Sequence, residues 1–167
     1  MSAMKTIEQE SFGPGFRIVP ATDEDLPAIV ALEKEYGLNS RGTAGHQTKL
    51  MNPNAILLVA IAGDASSLDS KIIGMFSGDV VVDELQIDNL AVSESIRRKG
   101  VGRLLLRSAL SISHRLGART ATLDVRSANL PARTFYEEEG FVLTGLRKGY
   151  YADPLDDALL LSREIDG

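Results

Sequence analysis

Between Leu85 and Leu106 the chain reads as an apolar strand, a short basic turn and the opening of a helix. In the turn, Arg97-Arg98-Lys99-Gly100-Val101-Gly102 sets two glycines one residue apart, directly before an amphipathic run. Glycine reaches positive φ without steric cost, so such a turn can aim several backbone N–H groups at one point. The amino end of the following helix adds its dipole and its unpaired amides, an arrangement suited to phosphate. Arg97, Arg98, Lys99 and Arg103 surround the same point with positive charge. The chemistry this predicts is recognition of a polyphosphate-carrying cofactor.

The common nucleotide motifs do not match. A dinucleotide turn would carry a third glycine at position 105, where Leu105 stands, and an ATPase phosphate loop would follow its glycine with Lys and Ser or Thr. Other reactive side chains are sparse. His46 and His114 have no companion ligands at metal spacing, so both are expected at the surface and no metal is expected. Asp153, Asp156 and Asp157 lack the spacing of a calcium loop, and Ser77 is not in a nucleophile elbow. The absence of cysteine excludes thiolate nucleophiles and disulfides.

The elements that must position the turn follow from patterning. A chain of 167 residues, 44% hydrophobic and 25% charged, suits one well-buried core, with residues 1–15 as a flexible tail and 16–167 as a single domain. The net charge of −5 argues against general nucleic-acid binding, and no run reaches signal-peptide or membrane-spanning length. A cytoplasmic protein without nucleic-acid or membrane partners is expected, as a monomer or a dimer. Phe16 to Val19 reads as a strand, and Thr22 starts a helix that turns Leu26, Ile29, Val30 and Leu32 inward and ends at Gly37. Residues 37–54 read as a loop or a weak helix around His46 to Met51. Strands follow at Ala55 to Ala62, at Lys71 to Val82 with a bulge near Gly74 or Gly78, and at Leu85 to Val92, with a turn over Gly63 to Ser67. Val101, Leu105, Ala109, Ile112 and Leu116 share a helical face that Gly117 closes. Arg119 to Val125 alternates as a half-buried strand, Asn129 caps a helix that ends at Gly140, and strands lie at Phe141 to Leu146 and within Ala158 to Arg163. The fold class is α/β, a mixed sheet with helices on both faces.

Arg97-Arg98-Lys99-Gly100-Val101-Gly102 resembles the cofactor signature of the GCN5-related N-acetyltransferase (GNAT) superfamily. Leu123-Asp124-Val125-Arg126-Ser127-Ala128-Asn129, then Ala132, Phe135-Tyr136 and Glu139-Gly140-Phe141, is similar to the family's second cofactor region. Arg147-Lys148-Gly149-Tyr150-Tyr151, with Asp156-Asp157-Ala158 and an apolar strand, resembles the ribosomal protein alanine N-acetyltransferase branch. The resemblance implies the GNAT fold, a mostly antiparallel sheet of about six to seven strands, and acetyl transfer to an amine by direct attack in a ternary complex.

It also implies placements. Acetyl-CoA would lie along the fourth strand at Leu90, Ala91 and Val92, with its diphosphate on the turn from Arg97 through Gly100, Val101 and Gly102 to Arg103. Asn129 matches a cofactor contact and also suits a helix N-cap. Tyr136 matches the general acid for the departing thiolate. Asp124 stands where the branch carries a glutamate base; one methylene shorter, it would work through water or pair with Arg126. Glu84 is the reserve base, and Tyr150 and Tyr151 border the acceptor. The acceptor expected is a protein N-terminal α-amine, with a small amine or a lysine side chain as alternatives. An acetyl-CoA-binding sensor or accessory subunit without efficient catalysis is the alternative of another class. The segment from Gly37 to Asn54 lacks the aromatic, proline-containing stretch usual in the branch.

Overall fold

The computed structural model describes residues 15–63 and 71–166. Fourteen of the fifteen residues expected as a tail, 1–14, and four of the five in the expected Gly63 to Ser67 turn therefore fall outside the described residues. Among the described residues seven strands form one sheet in the order β1-β2-β3-β4-β5-β7-β6. They are β1 (Phe16–Pro20), β2 (Ala55–Ala62), β3 (Lys71–Val81), β4 (Glu84–Val92), β5 (Thr120–Arg126), β6 (Val142–Ala152) and β7 (Leu155–Glu164). Every neighbouring pair is antiparallel except β4 and β5. The helices are α1 (Leu26–Glu35), α2 (Gly42–Met51), α3 (Val101–Arg115) and α4 (Leu130–Glu138). The segment expected as a loop or weak helix is thus a ten-residue helix, α2, and β6 and β7 run longer than their apolar stretches because both continue into a hairpin. Among the described residues no helix is long and apolar enough to cross a membrane.

The sheet is covered on both faces in its first half, which is why β2 is a continuous apolar run. Ile56, Leu58 and Ala60 of β2 join Phe76, Leu85, Leu105, Ala109 and Ile112 in the larger core under α3. Leu57 and Val59 face the other way, into a smaller core with Leu26, Ile29 and Leu32 of α1. Val30, expected inward, is only half-buried. Val101, Leu105, Ala109 and Ile112 are buried as the helical spacing requires, and Leu116 follows just beyond the helix end.

A bulge decides which way the end of β4 faces. Ser77 pairs with Asn89 and Gly78 with Ile87, so Asp88 is an extra residue on β4. An extra residue reverses the alternation of side chains beyond it. Before the bulge, Leu85 and Ile87 enter the α3 core; after it, Leu90 and Val92 pack there, while Ala91 turns to the α1 core and Asn89 reaches residues of α1. The bulge expected on β3 near Gly74 is present at Ile73, which the register skips opposite Ala60 and Ile61, whereas near Gly78 the extra residue is on the partner strand.

Candidate active site

β4 and β5 are hydrogen-bonded partners only at Glu84↔Thr120, Leu85↔Ala121 and Gln86↔Thr122. Beyond that point β4 stays with β3 to Val92, and β5 stays with β7 to Arg126. The sheet opens into a wedge whose β4 wall, Ile87 to Val92, has no strand on its β5 side among the described residues. An extended ligand with amide groups can add itself to such an edge.

The basic turn sits at the mouth of this wedge. Gly100 caps α3 with φ +83° and no side chain supplies the cap, while Arg98 also has positive φ, +67°. The first helical bond runs from the Leu104 amide to the Gly100 carbonyl at 3.1 Å, so the amides of Val101, Gly102 and Arg103 have no intrahelical acceptor. A Cβ on Gly102 would lie 3.4 Å from Val92 and 3.8 Å from the Phe135 ring, so this glycine keeps a narrow space open between β4 and α4. Arg97, Arg98 and Lys99 are exposed. Free amides, a helix amino end and three exposed cations fit a diphosphate. Arg103 departs from expectation in its side chain: the guanidinium turns away to Glu139, with Nε 2.6 Å from Oε1, and only its amide remains at the turn. The Val92 carbonyl accepts a bond from Arg97 Nε at 3.2 Å.

On the α3 side of the wedge, Asn129 caps α4 by accepting from the Ala132 amide at 3.2 Å, and Pro131 fits the first turn. Tyr136 is 8% exposed and packs edge to face against Phe135 and Phe141, with ring centroids 5.0 and 5.4 Å away. Burial raises its phenol well above the usual tyrosine range, so the group stays protonated.

Leu123 and Val125 of β5 turn into the α3 core, so the residues between and beside them share the opposite face of the strand. Asp124 lies there, exposed, two residues beyond the last β4–β5 pair. Its expected partner Arg126 is engaged elsewhere: it donates to the Pro154 and Asp153 carbonyls at 2.9 and 3.3 Å and stacks 4.1 Å from the Tyr151 ring centroid. Burial and then the Asp124 charge raise the Tyr151 phenol, which places Asp124 in its electrostatic reach. Tyr150 is 51% exposed, its ring centroid 5.1 Å from that of Tyr151. Glu84 sits at the closed end of the wedge, accepting from Thr122 Oγ1 at 3.2 Å and Gln86 Nε2 at 3.4 Å. At about 3.3 Å per residue it is roughly 20 Å along the strand from Leu90. Asp156 and Asp157 accept from the Ala128 and Gly149 amides and so hold turns.

Sequence reasoning missed a buried polar cluster on β4. Glu33 is fully buried and accepts from Ser40 Oγ at 3.0 Å and Asn89 Nδ2 at 2.5 Å, with His46 Nε2 at 2.6 Å. Asn89 also donates to the Asn39 carbonyl at 2.9 Å. His46 is 1% exposed, which corrects the expectation of a surface histidine; the carboxylate beneath it makes the burial tolerable. His114 is exposed as expected. One helical turn on, Lys49 is buried between Asp79 at 2.6 Å and Asp88 at 2.9 Å, which clamps the bulge residue to α2. The available signal was spacing: Glu33 continues the inward stripe of Leu26 and Ile29, and His46 and Lys49 share a face.

The open β4 edge and the uncapped amino end of α3 together suit a ligand that carries both amide groups and a diphosphate. The chain belongs to the acetyltransferase (GNAT) family, whose family model matches residues 24–141, and it is an N-acetyltransferase of that family. It is 35% identical over 112 residues to a Bacillus subtilis (strain 168) protein provisionally named ribosomal protein bS18-alanine N-acetyltransferase, covering 67% of this chain and 70% of that one. It is 35% identical over 88 residues to the Escherichia coli (strain K12) ribosomal protein bS18-alanine N-acetyltransferase, covering 52% of this chain and 60% of that one. The crystal structure of the Escherichia coli ribosomal-protein-S18-alanine N-acetyltransferase superposes with a TM-score of 0.76 at 25% identity, over 91% of this chain and 95% of that one. Arabidopsis thaliana NAA60 in complex with acetyl-CoA shares the fold, with a TM-score of 0.80 at 19% identity over 91% and 99%.

Proposed function

We propose that this protein transfers the acetyl group of acetyl-CoA to the N-terminal α-amine of a protein, the ribosomal type being the leading candidate. The observation that carries the donor assignment is the open β4 edge leading directly to the uncapped α3 terminus. The relatives named for bS18 alanine carry the acceptor assignment.

In this reading acetyl-CoA supplies the activated thioester. The edge of Leu90 to Val92 binds its amide-bearing arm, and Arg97, Arg98, Lys99 and the amides of Val101 to Arg103 bind its diphosphate. Asn129, whose Oδ1 is used by the cap, keeps its amide nitrogen for the donor. Asp124 takes the amine proton through water, since an exposed carboxylate can hold an ordered solvent chain. A free α-amine, with a pKa of about 7.7–8.0, needs only such a modest base. As the new C–N bond forms and the C–S bond breaks, the Tyr136 phenol gives its proton to the sulfur and takes one back from solvent, into which Asp124 releases the amine proton. Its raised pKa makes it a weak acid but a permanently protonated donor. Tyr150 and Tyr151 line the acceptor side. Glu84, held by Thr122 at the closed end, has no step in this scheme.

The test is turnover of acetyl-CoA with peptides of free N-terminus, lysine peptides blocked at the N-terminus and polyamines, followed by thiol release and product mass. Acetylation at the α-amine is expected. Preferential ε-amine or polyamine turnover would overturn the acceptor assignment, and tight CoA binding without any turnover would favour a sensor or accessory role.

A further inference from the structure

The last turn of α1 reaches the donor turn through one residue, Tyr36. Its hydroxyl accepts from the Glu94 amide at 2.8 Å, just after β4 ends. The Arg97 guanidinium carbon lies 4.6 Å from the centroid of the same ring. Arg97 is thus fixed at two points, by the ring and by its Nε bond to the Val92 carbonyl at 3.2 Å. Three residues earlier, Glu33 holds Asn89 of β4. The end of α1 and its capping residue therefore tie down both ends of the segment from Asn89 to Arg97.

An exposed arginine carries rotamer entropy that phosphate binding would otherwise have to overcome. Stacking on an aromatic face removes part of that freedom in advance while leaving the terminal nitrogens free to donate. We propose that Tyr36 is a positioning residue that pre-sets Arg97 for the diphosphate of acetyl-CoA. The proposal rests on the acetyl-CoA reading above. Tyr36 touches neither the thioester nor the acceptor; it acts through Arg97 and through the turn that Glu94 begins. Tyr36 also packs on the α1 core, so its removal has a structural consequence that the test must separate from positioning.

The experiment compares the unaltered full chain with Tyr36→Leu, Tyr36→Phe, Arg97→Ala and the Tyr36→Leu/Arg97→Ala double variant. Tyr36→Leu keeps apolar packing without an aromatic face, and Tyr36→Phe keeps the face without the hydroxyl. CoA affinity is measured by calorimetry, and KM and kcat are measured with acetyl-CoA and with S-acetylpantetheine, which has no diphosphate. Tyr36→Leu is expected to weaken CoA binding and raise the acetyl-CoA KM about three- to tenfold, with kcat within about twofold. Tyr36→Phe recovers most of that loss. Turnover of S-acetylpantetheine is expected to be the same for Tyr36→Leu and the unaltered chain, and Tyr36→Leu should weaken binding less than about twofold when Arg97 is already alanine. Equal losses with both donors, or full additivity with Arg97→Ala, would overturn the proposal. So would CoA binding by the unaltered chain that Tyr36→Leu leaves unchanged, and that result would spare the donor assignment. If the unaltered chain fails to bind CoA, the donor assignment falls and takes this proposal with it.

Discussion

His46→Leu tests the reasoning about the buried cluster most directly. The carboxylate of Glu33 is fully buried and has three side-chain partners, His46, Asn89 and Ser40, at 2.6, 2.5 and 3.0 Å. Leucine fills much of the imidazole volume but donates nothing, so one carboxylate oxygen keeps only Ser40. Hydrogen bonds to charged groups contribute about 1.5–3 kcal/mol, and breaking a buried pair from one side costs about 3–5 kcal/mol. Ser40 and Asn89 still hold Glu33, so the lower part of that span, about 2–4 kcal/mol, is expected. For a chain of this size each kcal/mol moves Tm by about 2–4 °C, so Tm should fall by roughly 4–16 °C. Adding Glu33→Met removes the stranded charge and should recover at least half of the loss, because a volume-matched apolar pair replaces the buried polar one. The assay is calorimetric or optical unfolding of the three proteins at one pH and one concentration. A Tm within about 2 °C of the unaltered chain for His46→Leu alone would refute the claim that this cluster holds α2 onto β4.

Three further outcomes follow from the site. Tyr136→Phe should lower kcat about ten- to a thousandfold while leaving CoA affinity within twofold; unchanged turnover at saturating substrates would remove Tyr136 from the chemistry. Gly102→Val fills the space between Val92 and Phe135 and should weaken CoA binding at least about tenfold with a folded protein, whereas Gly102→Ala, meeting Val92 at ordinary contact distance, should fold normally. Tyr136 also gives stability a pH dependence with a definite sign. Its folded pKa is raised by burial, so the unfolded chain loses this proton first, near pH 10, and the folded state binds more protons above that point. Its contribution is therefore complete below about pH 10 and is lost as pH rises, by up to about 1.4 kcal/mol per unit. Urea titrations at pH 8 to 11 measure this, and Tyr136→Phe should flatten the alkaline decline.

Local pattern was enough for the parts whose causes are local. The helical spacing of Val101, Leu105, Ala109 and Ile112, the glycine turn before it and the Asn129 cap each depend on residues within a few positions of one another. All three appear in the structure as the sequence implied. The turn proposed to hold the donor was legible for the same reason, since its amides and cations belong to one continuous stretch. What depends on pairing between distant residues was not legible. Asp88 becomes a bulge only because β3 sets the register, and that extra residue turns Asn89 from the α3 core toward Glu33, 56 residues away in the chain. A separation of 13 residues between His46 and Glu33 hid the burial of the histidine, and Glu139 drew the Arg103 side chain off the turn that its own neighbours predicted. The wedge itself is tertiary: β4 and β5 part after Gln86 and Thr122 because each keeps its other partner, β3 or β7. By itself the sequence determined where a diphosphate can be held; only the folded sheet decided which strand edge leads to it and which residues brace that edge, because those contacts join segments that no local periodicity connects.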